Sequence, residues 1–158
     1  MAEVIMTCGR LCCGKTTYAR KLQEQRNVVI LSIDEVMLTL FPEGAGGAHD
    51  RLAQKTEKYL LALSLQILQA GTDVILDWGL WTRAQRDRLR DFYNSRGIVN
   101  KIHYLRTGEE EWQRRIRKRN AVRQEEPSAY FVDEGLLQKT NALFEEPSAE
   151  EVDLIVDA

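Results

Sequence analysis

Cysteine is scarce: three in 158 residues, an odd number that does not suggest a disulfide framework. Long apolar runs are missing too. Mean hydropathy is -0.38, and no stretch approaches the ~18 consecutive apolar residues of a membrane helix. The segment Met1 to Met6 has no basic region and too short an apolar run for a signal peptide. The expectation is a reduced, cytoplasmic protein with no membrane partner. An excess of one charge is also lacking. Lys and Arg total 22 against 24 Asp and Glu, for a net charge of -2. That balance excludes a globally basic nucleic-acid binder, though not a local basic patch. Internal repeats and long linkers are absent, so one domain over residues 1–158 is expected. What is present is 44% hydrophobic and 29% charged, the mixture of a folded chain rather than a disordered one.

Apolar and amphipathic segments alternate. Runs over residues 3–8, 28–33, 73–77, 100–105 and 153–156 are short and rich in β formers, and read as strands. Helical spacing of apolar residues covers 15–25, 51–70, 83–96, about 108–120 and 133–144. Gly71 and Gly97 close two of these helices, Thr82 can cap the third, and Thr107 with Glu110 fits a capping box opening the fourth. Phe41 to Asp50, with three glycines and a proline, reads as a mobile loop, and 124–130 as another loop. Strands alternating with helices imply a parallel sheet covered on both faces.

Between the first strand and first helix lies Gly9-Arg10-Leu11-Cys12-Cys13-Gly14-Lys15-Thr16, which fits G-x-x-x-x-G-K-[ST]. Gly9 and Gly14 permit backbone angles closed to other residues. The loop can then curl its N–H groups inward around an anion, with the positive end of the next helix beneath. Lys15 is expected to reach outer phosphates and Thr16 to offer a hydroxyl to Mg²⁺, with Thr17 beside them.

In such folds ligands bind at the carboxyl ends of the strands, where two carboxylates fall. Asp34, after the second strand, is expected to accept the proton of an attacking hydroxyl. Its other reading is a helix N-cap. Asp77, after the third, fits a metal or substrate role or a strand-end turn. Trp78 and Trp81 fit either a pocket wall or core packing. Arg83 and Arg86 are candidates for substrate or phosphate binding, with Asp87 and Asp91 offering partners on a solvated helix face.

Residues 114–123 hold six cations, a repulsive burden unless an anion lies nearby. Arg115, Arg119 and Arg123, four apart, are the candidates for a lid closing over a nucleotide, within a lid-like segment of about 108–130. Arg114, Arg117 and Lys118 are assigned to the solvated side. Cys12 and Cys13, adjacent, make a poor metal chelate and are expected to fill the loop. A thiol there can still be reactive, so oxidation could block the loop. His49 reads as a solvated loop residue or a substrate contact, and His103 as structural.

On these residues the chain resembles the P-loop kinases, in particular the group of chloramphenicol phosphotransferase, zeta toxins and polynucleotide kinase domains. The resemblance rests on GRLCCGKT, Asp34, LDWGLWTRAQR and RRIRKRNAVR. It implies a three-layer α/β/α P-loop NTPase fold with a five-stranded parallel sheet of order 2-3-1-4-5. It further implies Asp34 as general base and Arg115, Arg119 and Arg123 as ATP contacts. LDWGLWTR also loosely resembles the adenylate kinase motif whose arginine binds a substrate phosphate, with two extra residues before Arg83. The reaction type implied is ATP- and Mg²⁺-dependent transfer of a γ-phosphoryl group to a hydroxyl; the acceptor expected is a small hydroxylated molecule, and the protein a monomer or homodimer. A kinase of nucleic-acid ends, disfavoured by the net charge, and a nucleotide switch without an acceptor are the alternatives.

Overall fold

The apolar runs line up side by side. In the computed structural model, which describes residues 1–122 and 134–158, the strands are β1 (Val4–Cys8), β2 (Val28–Leu31), β3 (Asp73–Leu76), β4 (Asn100–Arg106) and β5 (Leu154–Asp157). They form a five-stranded sheet of order β2-β3-β1-β4-β5, with all four pairings parallel. The described residues also form six α-helices: α1 (Lys15–Gln25), α2 (Ile33–Leu40), α3 (His49–Gln69), α4 (Arg83–Asn94), α5 (Glu109–Val122) and α6 (Glu134–Leu143). None of the described helices is long and apolar enough to cross a membrane.

Strand alternation divides the core. On β1, Val4, Met6 and Cys8 join one cluster with Leu60, Leu68 and Leu89 of α3 and α4. Ile5 points to the opposite face and packs with Ala19 of α1, Val28 and Ile75. A strand feeding both faces must be apolar throughout, and all five β1 residues are buried. The one polar member, Thr7, is satisfied. Its hydroxyl accepts from the N–H of Trp78 at 3.1 Å and lies 2.9 Å from the Trp78 carbonyl, to which it donates.

Several boundaries differ from the sequence expectation for identifiable reasons. The second strand stops at Leu31 because Ser32 caps α2, its hydroxyl accepting from the N–H of Glu35 at 3.1 Å. Ile33 is therefore helical, and Asp34 lies in the first helical turn rather than capping it. The 41–50 loop is shorter than expected. A 3₁₀ turn at Gly46–Ala48 leads into α3, so His49 and Asp50 are helical. Thr82 caps α4 as expected, through a capping box with Gln85. The Thr107 hydroxyl donates instead to the carbonyl of Cys13, at 3.4 Å, tying the start of α5 to the glycine-bounded loop. The loop expected at 124–130 lies outside the described residues.

Candidate active site

The turn between β1 and α1 is curled by two residues with positive φ, Cys12 at 61° and Gly14 at 96°. Gly9 is needed for a different reason from the expected one. Its φ is not in the left-handed region, but a Cβ there would stand 2.5 Å from the Cys13 sulfur and 2.9 Å from the Leu105 carbonyl. The N–H of Gly9 donates to the carbonyl of Gly79 at 3.0 Å, joining the loop to the segment after β3. The Lys15 ammonium donates to the carbonyls of Arg10 (2.7 Å) and Gly9 (3.1 Å), so it spans the loop's mouth.

Two carboxylates stand beside this lysine. Asp77 is 9% exposed, its carboxylate accepting from the Thr16 hydroxyl at 2.7 Å. Its N–H donates to the Leu31 carbonyl at 3.0 Å, which extends the β2–β3 ladder and fixes its position. The pair is a hard-oxygen donor set, suited to a small divalent cation such as Mg²⁺. Asp34 is exposed on its own surface but lies in the lining of both cavities, where neighbouring groups displace part of its water. That desolvation pushes its pKa above the ordinary aspartate value. Lys15 and Arg119 pull it down and Asp77 pushes it up, with the net shift upward.

The helix α5 is docked onto the loop. Trp112 is fully buried against Leu11, Cys12 and Ile116, and its indole N–H donates to the Leu11 carbonyl at 2.5 Å. Arg115 donates to the Cys13 carbonyl at 2.9 Å and to Glu111 at 2.9 Å. The Arg119 guanidinium lies 3.0 Å from the Cys12 sulfur. Arg10, expected to contribute to the loop through its N–H, sends its side chain away from the loop's concave side. Its guanidinium sits 3.8 Å over the Trp112 ring and 3.2 Å from Glu109, clamping α5.

Two cavities meet here. The first, about 830 Å³, is lined by Leu11, Cys12, Cys13, Gly14, Lys15, Thr16, Thr17, Arg115 and Arg119, with Asp34 and Asp77 at one end. Arg114 and Lys118, expected on the solvated side of α5, also border it. The second, about 650 Å³, shares Leu11, Asp34, Asp77, Gly79 and Trp81 with the first and adds Trp78, His49, Glu57, Gln85 and Arg88. Both tryptophans thus serve as pocket walls, and Trp78 is buried as well.

The arginine expectation on α4 needs correction. Arg86 is 1% exposed and lines neither cavity. It is a core residue that donates to the Leu80 carbonyl at 2.9 Å and pairs with Glu151 at 3.1 Å. Leu80 has a φ of 48°, an uncommon angle for a bulky residue, and Arg86 helps hold it. Arg83 is exposed and pairs with Asp87 at 3.6 Å, as its solvated reading had it. The basic residue that does line the second cavity is Arg88, 2.6 Å from Glu57 of α3. Arg123 lies outside the described residues. Cys8 is a core thiol whose pKa burial pushes up to about 11, so it stays protonated and donates to Leu80.

A glycine-bounded loop at a strand–helix junction, with Lys and Thr in the first helical turn and a parallel sheet of this order, defines a P-loop protein of kinase-like fold. The chain belongs to the family described as AAA domain (AAA_33), whose model matches residues 4–147. No curated protein matches the sequence. Among solved structures it is similar to a candidate kinase from Chloroflexus aurantiacus, with a TM-score of 0.75 at 16% identity, over 99% of this chain and 84% of that one. It is also similar to the APS kinase of Mycobacterium tuberculosis in complex with AMPPNP and APS, with a TM-score of 0.66 at 14% identity, over 99% and 88%. A gluconokinase from Sinorhizobium meliloti gives a TM-score of 0.65 at 18% identity, over 98% and 82%. At these identities the likeness is one of fold.

Proposed function

We propose that this protein is an ATP- and Mg²⁺-dependent phosphotransferase that moves a γ-phosphoryl group to a hydroxyl of a small molecule. The observation that carries the proposal is the seam between the two cavities, where Asp34 and Asp77 line both. Phosphates held by Lys15 and the loop N–H groups have their outer end at this seam. An acceptor in the second cavity has its hydroxyl there too.

Each residue then has one task. Asp34 takes the acceptor's proton, and its raised pKa makes it a better base than an ordinary aspartate. Thr16 and Asp77, hydrogen-bonded to each other, are the residues that would hold Mg²⁺, which would supply charge neutralisation on phosphate oxygens. Arg115 and Arg119, placed over the loop by α5, offset charge on the transferred group. Helix α5, which carries both arginines, covers the loop. Two of the structural neighbours, a gluconokinase and an APS kinase, are kinases, which supports transfer to a small acceptor.

The test is ADP release from Mg²⁺-ATP across a panel of small alcohols, with Lys15→Ala as the blank. Acceptor-dependent release at least about tenfold above the blank is expected. Nucleotide binding without acceptor-dependent release by any alcohol overturns the proposal and leaves a switch.

A further inference from the structure

We propose that the second cavity selects an alcohol with a flat apolar body and a cationic amine, and rejects phosphorylated or carboxylated acceptors. The word acceptor rests on the function proposed above; the binding preference does not. The walls are largely apolar, formed by Ile33, Trp78, Leu80, Trp81, Leu89 and Leu136. At about 650 Å³ the space suits a ligand of several fused or linked rings' bulk.

Charge decides the class. Among the described residues, the lining carries three carboxylates, Asp34, Glu57 and Asp77, against one guanidinium, Arg88. That guanidinium is already engaged by Glu57 at 2.6 Å. Lys15, Arg115 and Arg119 line the other cavity, where phosphates would occupy them. An anionic acceptor would therefore enter a site of net negative charge, and would have to displace Glu57 to gain a cation. An ammonium meets carboxylates, and it meets two indole rings whose faces attract cations. The indole N–H groups of Trp78 and Trp81 are buried, so these two residues offer a ligand apolar ring surface rather than hydrogen-bond donors.

The experiment compares three probes of one shape: para-(aminomethyl)benzyl alcohol, para-methylbenzyl alcohol and para-(hydroxymethyl)benzoate. Each is titrated into the full chain saturated with Mg²⁺-ADP, which occupies the cations of the first cavity, at about pH 8, above the range in which imidazoles usually titrate, following tryptophan fluorescence. The ammonium probe is expected to bind at least about tenfold more tightly than the carboxylate, with the neutral probe between. Glu57→Gln releases Arg88 and should narrow the ratio to below about threefold. Arg88→Gln should widen it, and Asp87→Asn, on the exposed face, should leave it unchanged. Carboxylate binding equal to or tighter than ammonium binding overturns the proposal. So does an unchanged ratio in Glu57→Gln, or the absence of saturable binding by all three probes. Because no ATP is present, these outcomes are separate from phosphoryl transfer. Tight ammonium binding without ADP release would sink the kinase reading and leave the cavity's preference standing.

Discussion

Asp34 sits in the first turn of α2, where the helix dipole favours a negative charge, yet it holds its proton more tightly than a free aspartate. Desolvation by the crevice walls outweighs the dipole and the nearby Lys15 and Arg119. The consequence for stability has a definite sign. Between the ordinary aspartate pKa and the raised one, the folded chain keeps a proton that the unfolded chain has lost. Stability therefore falls as pH rises through that window and stays lower above it. Asp34→Asn removes this liability, so at neutral pH it should melt at a higher temperature than the wild type. The same substitution should lower acceptor-dependent transfer by about 10²–10⁴. Wild-type kcat/KM should fall on acidification at a pH above that of an ordinary aspartate. Calorimetry and a pH–rate profile check the three together. A variant that melts lower and transfers at the wild-type rate contradicts the assignment.

At the level of elements, the decisive contact is between α5 and the loop. Arginines on an isolated helix would be repelled by one another. Here Trp112, packed into Leu11 and Ile116 and bonded to the Leu11 carbonyl, holds the helix so that Arg115 and Arg119 overlie the loop. Trp112→Phe keeps most of the buried surface and removes the one hydrogen bond. It should cost about 0.5–1.5 kcal/mol of stability and raise the nucleotide KM more than it lowers kcat, because the arginines lose their registration. Denaturant titration with steady-state kinetics measures both. A KM unchanged at reduced stability would mean that docking of α5 serves the fold alone. Much of this element structure was legible in sequence, since strands buried on two faces are uniformly apolar and Thr82, Gly71 and Gly97 mark helix ends chemically. The face of α4 was not. Helical periodicity placed Arg83, Arg86 and Arg88 around one helix but could not say which meets a cavity. That is decided by Glu151 and Leu80, which draw Arg86 into the core, and by Glu57 on α3, which draws Arg88 to the second cavity. Partners 65 and 31 positions away leave no local signal.

Across the whole molecule, parallel strands gather every proposed functional group at one rim. The loop follows β1, Asp34 follows β2, Asp77 follows β3 and α5 follows β4, as expected for a sheet whose ligands bind at the carboxyl ends of its strands. With β1 flanked by β3 and β4, the loop, Asp77 and α5 rise from adjacent strands. Their mutual bonds, Thr16 to Asp77 and Arg115 to Cys13, follow directly from that order. A ligand bridging these parts ties together segments that unfolding would separate, so it binds only the folded chain. Mg²⁺-ATP at about 100 times its Kd should then add about 2.7 kcal/mol. For a chain of this size that raises Tm by roughly 5–10 °C. Lys15→Ala should lose most of the shift while keeping the unliganded Tm near that of the wild type, since the ammonium's bonds are to carbonyls of a half-exposed loop. An ammonium probe in the second cavity should still raise the Tm of Lys15→Ala, because none of the residues argued to hold it is Lys15. Loss of both shifts together would show that the two cavities are one site, and equal shifts in wild type and Lys15→Ala with Mg²⁺-ATP would show that the loop does not grip phosphate.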